Sequence, residues 1–519
     1  MTAMPHELGT PSLDKDSNSN IDIVDPGKST LSIASVGVVL IITIIHLLLA
    51  QQTELIPEEA YYWTYSQHPA LSYFDHPPMV AWIIHLGTVI FGNTEFGVRI
   101  IVIALWPVSA WLLFMTGRLW FGREAAERAV LLFCLSPIFV SFGFIVTPDA
   151  PLIFFWLLTL YATSKALQSG QNTFWLLAGL GLGCAMLSKY TAVMLAGSLF
   201  IFLISSNNYR YWLRRIEPWL ALLLGIMVFS PVLIWNAQHE WASFIFQATR
   251  TVDVQHNLLK EAGTFWLYQL AALTPFLLVF YAYTLLTASK RAWIHREDRW
   301  NFAMSFALPL FIIFLLASFK NKGHVNWTAP TYLSWSLAAA AIYPEIRNIW
   351  QIQRGGWWRI LIWASVVFSV VGISIAHTSL AWGFPFSFSN AGAWQSLARE
   401  AGDARAKLMS STGKSAFIIG GDKLNNAAEV GFYLQDTVDV VNDYALGGSG
   451  IGYRYWVDLG QFKDRPAIVV LPKIGLNTVR QLKSHFKQVD EPVLVHVDGK
   501  GQKKRTAYLV KCQGYIPKY

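Results

Sequence analysis

The chain of 519 residues is 54% hydrophobic and only 14% charged, with a mean hydropathy of +0.38. Soluble domains carry about 25% charged residues, so a wholly soluble protein is excluded and a polytopic membrane protein with a soluble attachment is indicated. The net charge of +8 does not point to a nucleic-acid partner, because much of the basic charge sits in short loops between apolar runs, where it sets topology.

Residues 1–30 are polar and rich in Ser, Asp, Asn, Pro and Gly, the composition of a disordered tail. No cleavable signal precedes the first apolar run, so 31–50 is read as a retained first helix. Further runs near the length of about 20 residues needed to span lie at 98–117, 125–146, 150–167, 173–187, 191–205, 218–236, 264–286, 300–318, 325–343 and 357–381. The run 78–92 is shorter, carries His85 and follows Pro77-Pro78. Basic residues cluster in four loops: Arg118, Arg123 and Arg128; Arg210, Arg214 and Arg215; Lys290, Arg291, Arg296 and Arg299; Arg347 and Arg354. With 78–92 laid at the surface as a juxtamembrane helix, all four loops share the side of the N-terminal tail, which the positive-inside rule makes cytoplasmic. The expectation is eleven spans, with the N-terminus inside and the C-terminal part outside.

The composition changes near residue 390. SAFIIGG, TVDVVND, PAIVVLP, PVLVHV and TAYLVKC read as strands, alternating with helical 394–409 and 424–434. The chain thus divides into a tail (1–30), an all-α polytopic membrane domain (31–389) and a small α/β domain (390–519). Cys134, Cys184 and Cys512 are scattered, which excludes a disulfide framework and a cysteine-based zinc site. The GGDK turn (420–423) can bind an anion where it opens a helix, although a plain strand-to-helix turn is the favoured reading.

This threading places Glu54, Glu58, Glu59, Asp75, His76, Asp149, Lys189, His239, Arg250, Asp253, His256, Lys320, Lys322 and His324 outside. The spans read as nearly free of ionisable groups, with His46 and His377 as exceptions. Ion-coupled transporters put acids and histidines at the bilayer midplane; chemistry at the outer rim favours a surface catalyst. Each candidate has a plainer role as well. Glu58-Glu59 after Pro57 suits a helix start, or a base for an attacking hydroxyl. Asp75-His76 before two prolines suits a turn, or a metal or phosphate. Asp149 after Thr147-Pro148 suits an N-cap, and Lys189 suits snorkelling. External Arg250, Lys320, Lys322 and His324 run against the positive-inside rule, and binding a phosphate explains them.

In order, EEAYYW (58–63), YFDHPP (73–78), TPDAPL (147–152), LSKY (187–190), WNAQHEW (235–241) and KGHVNWTAP (322–330) resemble the GT-C glycosyltransferases of the bacterial PMT-like and ArnT-like group. That group includes aminoarabinose transferases and the Rgt galacturonosyltransferases, and is related to protein O-mannosyltransferases. The resemblance covers roughly 31–343, and the tail joins it less specifically through NAAEVGFYL (426–434). It implies a GT-C membrane domain in the bacterial inner membrane. Its reaction moves a sugar from a polyprenyl phosphate to an acceptor on the periplasmic side: lipid A, another lipopolysaccharide glycan or a protein.

The family's acidic pair falls on Glu58 and Glu59, with Glu replacing the usual Asp at Glu58, which leaves open which of the two is the base. The second acid falls on Asp149. Asp75 and His76 match an acidic-basic pair that lies near a metal and the donor phosphate, and His239 joins them as a candidate ligand for a divalent ion of unknown identity. His76, Lys189, Arg250, Lys320, Lys322 and His324 are the candidate phosphate cations, stabilising the charge that develops on the leaving group. Attack opposite the phosphate inverts the anomeric centre. Rival readings are a lipid-linked glycan flippase, which would need a polar path through the bundle; an O-antigen-type ligase, whose donor carries many sugars; and a scaffold.

Overall fold

In the computed structural model, residues 30–252, 258–319, 326–354, 357–383, 392–501 and 503–518 are described. In chain order α1 (Ile33–Ala50) leads to α2 (Pro57–Gln67), α3 (Met79–Phe91) and the long α4 (Glu95–Phe121). Then come α5 (Arg123–Leu135), α6 (Pro137–Phe142), α7 (Asp149–Ser169), α8 (Asn172–Ser188), α9 (Val193–Ser205) and α10 (Glu217–Gln238). The helical part closes with α11 (Ala242–Val252), α12 (Leu258–Leu273), α13 (Pro275–Trp293), α14 (Asp298–Ser318), α15 (Ala329–Arg354) and α16 (Trp357–Trp382).

Among the described residues, α1, α4, α7, α10, α14 and α16 are long and apolar enough to cross a membrane. The pair α12–α13, bent by 103°, makes a seventh when taken as one span. Length and apolarity therefore carry six or seven of the eleven expected spans. The expected run 125–146 is broken into α5 and α6 at Pro137, which has no amide to continue the ladder. The bend between α12 and α13 falls at Thr274, whose φ is 70°, just before Pro275. Helix α3 has 13 residues, about 20 Å at 1.5 Å per residue, short of the roughly 30 Å hydrocarbon core. Outward-facing apolar side chains such as Leu40, Ile41, Ile44 and Leu48 on α1 and Trp363, Val367 and Val370 on α16 are exposed, as lipid contact requires. The two histidines noted in the spans meet: His46 and His377 stack at 5.3 Å.

The C-terminal part adds α17 (Trp394–Thr412), β1 (Phe417–Gly420), α18 (Asn425–Leu434), β2 (Val440–Val441), β3 (Ala467–Leu471), α19 (Leu476–His485), β4 (Phe486–Val489), β5 (Val493–Asp498) and β6 (Lys504–Tyr515). The sheet order is β2-β1-β3-β6-β4, with β5 also on β6. Strand β1 runs parallel to β2 and β3, while β6 is antiparallel to β3, β4 and β5. All five expected strands are present. The polar β4 and α19 carried too weak an apolar pattern to be read from the sequence.

One buried apolar cluster runs through both parts, from Tyr61, Trp63 and Val80 to Trp394, Val430, Phe432 and Tyr453. Polar contacts cross the same seam. The Leu55 amide donates to Tyr433 Oη (3.0 Å), the Gly452 amide to Tyr61 Oη (3.1 Å) and the Trp394 amide to Glu54 Oε2 (3.0 Å). A Cβ on Gly452 would lie 2.9 Å from Tyr61 Oη and 2.5 Å from Trp456, so only glycine permits this approach.

Helix α2 is fixed from below by Arg99 on α4. Its guanidinium donates to both oxygens of Glu59 (Nε–Oε1 3.0 Å, Nη2–Oε2 2.6 Å) and to the carbonyls of Ala50, Thr53 and Glu54. Glu59 Oε1 also accepts from the Val146 amide (3.0 Å) and Oε2 from the Ile56 amide (3.1 Å). Both side chains are buried. Arg99 lies inside the run 98–117, so the reading of the spans as nearly free of charge missed it.

From the other side α18 brings Glu429, wholly buried, with neither carboxylate oxygen hydrogen-bonded among the described residues. Burial pushes its carboxyl well above the ordinary glutamate range; Glu54, Glu59 and Glu58 push the same way and Arg505 opposes them.

Two outcomes follow. Arg99→Met leaves a buried carboxylate unpaired, a change that costs about 3–5 kcal/mol, and should markedly lower the thermal unfolding midpoint in detergent; an unchanged midpoint would refute the assignment. Glu429 holds its proton in the fold to a higher pH than in the unfolded chain, so its contribution to stability falls as pH rises from the ordinary glutamate range through its raised pKa. Glu429→Gln should therefore raise the midpoint at pH 8 relative to wild type and raise it little near pH 4. A gain of equal size at both pH values would show that the carboxyl is not held neutral.

Candidate active site

Helix α2 gathers the acidic motifs. Pro57 sits at its first position, with Glu58 and Glu59 in the first turn, where open amides and the helix dipole favour carboxylates. The two acids then part. Glu59 faces inward and has four hydrogen-bond contacts at its two oxygens. Glu58 keeps an exposed face but is hemmed in by protein. That loss of solvent raises its carboxyl above the usual range, its own amide pulls it down, and the charge of Glu59 pushes it up. No hydrogen bond or ion pair to another side chain engages Glu58 among the described residues.

Two further motifs are tied to α2. Tyr61 Oη donates to Asp75 Oδ1 at 3.3 Å, and Gln247 Nε2 on α11 donates to the Asp75 carbonyl at 2.6 Å. The His76 ring meets Tyr62 edge-on at 5.7 Å. Asp149 begins α7 three residues after Val146, whose amide is held by Glu59. It does not cap the helix with its side chain. Instead Lys189 Nζ donates to Oδ1 at 2.7 Å and Asn326 Nδ2 to Oδ2 at 2.5 Å. Lys189 is buried in this pair, so it is no snorkelling residue, and its charge is already balanced.

The proposed metal ligands are not gathered. His239 stacks on Trp235 at 4.0 Å and its Nδ1 lies 2.7 Å from the Trp235 carbonyl. That contact fixes the ring against the preceding turn of α10. Among the described residues no group of three or more His, Cys, Asp or Glu is placed to hold a metal ion. The described residues by themselves build no cage of protein ligands. Lys320, Lys322 and His324 lie outside the described residues, as does the side chain of Arg250 on α11. At GGDK, Asp422 Oδ1 accepts from the Asn426 amide at 2.9 Å; a carboxylate of the chain itself occupies the start of α18, as in a plain strand-to-helix turn.

Arg99 and Glu429 are the residues that sequence reasoning missed. An arginine in the first turn of an apolar run was a usable signal, since such a charge needs a buried partner. Glu429, inside NAAEVGFYL, gave no local sign that it would be enclosed.

A family model described as dolichyl-phosphate-mannose-protein mannosyltransferase matches residues 75–235. The lipid A galacturonosyltransferase RgtD of Rhizobium johnstonii is 26% identical over 294 residues, 55% of this chain and 60% of that protein. The undecaprenyl phosphate-alpha-4-amino-4-deoxy-L-arabinose arabinosyl transferase of Erwinia tasmaniensis is 26% identical over 301 residues, 54% of this chain and 50% of that one. The chain thus spans between half and three-fifths of the length of these relatives. Among solved structures, ArnT from Cupriavidus metallidurans superposes with a TM-score of 0.63 in its undecaprenyl phosphate complex, at 15% identity, covering 92% of this chain and 97% of that one. Its apo form gives 0.64 at 16% identity, with the same coverage. A PMT-type model thus matches the stretch from α3 to α10, and the chain is a multi-pass membrane protein that shares the fold of ArnT along nearly its whole length.

Proposed function

We propose that the chain is a glycosyltransferase that moves one sugar from a polyprenyl-phosphate donor to an envelope acceptor: lipid A, another lipopolysaccharide glycan or a protein. It sits in the bacterial inner membrane with the N-terminal tail (1–30) cytoplasmic, the membrane domain (31–389) carrying the site, and the α/β domain (390–519) periplasmic. One observation carries the reading. Of two adjacent carboxylates on α2, Glu59 is saturated by Arg99 and backbone amides, while Glu58 has no side-chain partner among the described residues, is reachable and is raised in pKa. A general base needs that combination of access and tuned basicity.

In this reading Glu58 takes the proton of an acceptor hydroxyl. The freed oxygen bonds to the anomeric carbon from the face opposite the phosphate, and the bond from that carbon to the phosphate oxygen breaks with its electron pair. The configuration inverts and polyprenyl phosphate leaves. Asp149 and Lys189, paired with each other, brace the start of α7 beside α2. Charge on the leaving phosphate falls to His76, Arg250, Lys320, Lys322 and His324, with Lys189 contributing only as a member of its pair. The relatives named for lipid A and undecaprenyl phosphate support the choice of acceptor and donor classes.

Glu58→Gln should lower kcat by about 10²- to 10⁴-fold with a near-wild-type unfolding midpoint, and cells carrying it should lack one sugar on an envelope glycan by mass spectrometry. In wild type, kcat/KM should fall as pH drops through a pKa above the ordinary glutamate value of 4.5, because protonated Glu58 accepts no proton. Unaltered glycans in the variant alongside altered ones in a full deletion would remove Glu58 from the chemistry and favour a flippase. Since no group of metal-ligating side chains is gathered among the described residues, prolonged dialysis against EDTA should leave turnover of the purified enzyme unchanged; a loss restored by a divalent ion would show that a metal takes part.

A further inference from the structure

Between α10 and α11 the chain turns through His239, Glu240 and Trp241, and the last two adopt left-handed φ values of 54° and 59°. Two consecutive non-glycine residues rarely hold this conformation unless their surroundings impose it. Here they do. The Trp241 amide donates to the Asn236 carbonyl (2.8 Å), the Ser243 amide to Asn236 Oδ1 (3.1 Å), and Ser243 Oγ to the Tyr73 carbonyl (2.9 Å). The last bond locks the turn onto the loop that carries Asp75.

The turn forms one side of an open cavity of about 490 Å³, whose other walls include Phe74, Phe246, Arg454 and Tyr455, within the usual size range of ligand sites. Aromatic rings line part of it, beside Gln238, Ala242 and Ile245. The His239 ring lies flat on Trp235, with Tyr455 edge-on to both at 5.6 and 5.4 Å. Phe74 packs on Phe246 at 4.7 Å and on Tyr455 at 5.4 Å. Two charged groups stand among these rings. Arg454 is exposed, its Cζ 5.6 Å from the Tyr455 ring, and neither it nor exposed Glu240 forms an ion pair among the described residues.

We propose that this cavity is the acceptor subsite and takes an anionic, phosphorylated saccharide. The aromatic faces receive the C–H face of a sugar ring, the planar fork of Arg454 receives the phosphate in bidentate fashion, and Glu240 accepts hydroxyl protons. The inference rests on the glycosyltransferase reading for the word acceptor, but not for the binding itself. One feature separates an acceptor from the donor. Arg454 and Tyr455 come from the C-terminal part, on the short helix Ile451–Tyr455, rather than from an apolar helix flank that a polyprenyl chain would follow.

The test uses the full-length protein in detergent, with glucosamine 6-phosphate as probe and glucosamine and inorganic phosphate as controls, followed by saturation-transfer NMR. The sugar phosphate should bind saturably and more tightly than either control. Arg454→Gln should weaken it at least tenfold, Arg454→Lys less, and Tyr455→Ala should weaken it with the charge intact, all at wild-type unfolding midpoints. Binding of polyprenyl phosphate should be the same in Arg454→Gln and wild type. Equal probe binding in wild type and Arg454→Gln, or no binding of the probe, overturns the proposal. Parallel loss of polyprenyl phosphate binding also overturns it, by assigning the cavity to the donor. No outcome depends on turnover, so failure of the glycosyltransferase reading would show separately, in the Glu58→Gln glycans.

Discussion

Arg99 gives its donors to Glu59 and to the chain linking α1 to α2, and the geometry of the site descends from that contact. An arginine in an apolar helix cannot stay unpaired, so it draws the first turn of α2 down onto α4. Glu59 then passes the constraint on to the Val146 amide, which sets where α7 begins and hence where Asp149 stands. Three segments distant in sequence are brought into register by one buried carboxylate. The pair need not add net stability to have this effect, since a buried ion pair often does little better than an apolar substitute; it supplies position.

The same contact separates the roles of two adjacent glutamates. Glu59 has no lone pair to spare, whereas Glu58, one residue earlier on the turn, faces a hemmed-in space with its oxygens available. Loss of solvent around Glu58 favours its neutral form and so strengthens it as a base. Asp149 shows the opposite arrangement. Held between Lys189 and Asn326, it is kept in place by fixed partners and suits an organising role better than proton transfer.

The C-terminal part is more than an appendage. A single apolar cluster joins it to α2, and Gly452 is placed so that its amide reaches Tyr61, the residue that also contacts Asp75. The neutral form favoured at Glu429 fits this seam, where Glu54, Glu58 and Glu59 already crowd the acidic charge and Arg505 only partly answers it. The sheet part thereby supports the helix carrying the acids and also lends Arg454 and Tyr455 to the neighbouring cavity.

Membrane class, the helical first part, the five principal strands and the segments bearing the acids were legible in the linear chain, because apolar length, alternation and ordered motifs are local properties. Pro137 was visible too, but whether it would interrupt a span depended on how the flanking turns packed. The division between Glu58 and Glu59 was not legible, since both have the same neighbours and the same helix start; it was decided by Arg99, 40 residues away along the chain. Lys189 and Asp149, also 40 residues apart, each look unpaired until the fold joins them. His239 reads as a metal ligand, yet among the described residues no ligand set forms around it, and Glu429 gives no local sign of enclosure until α18 packs against α2. Charge pairing and desolvation act across space, so tertiary structure alone decides which ionisable group is saturated, which is kept neutral and which is left able to react.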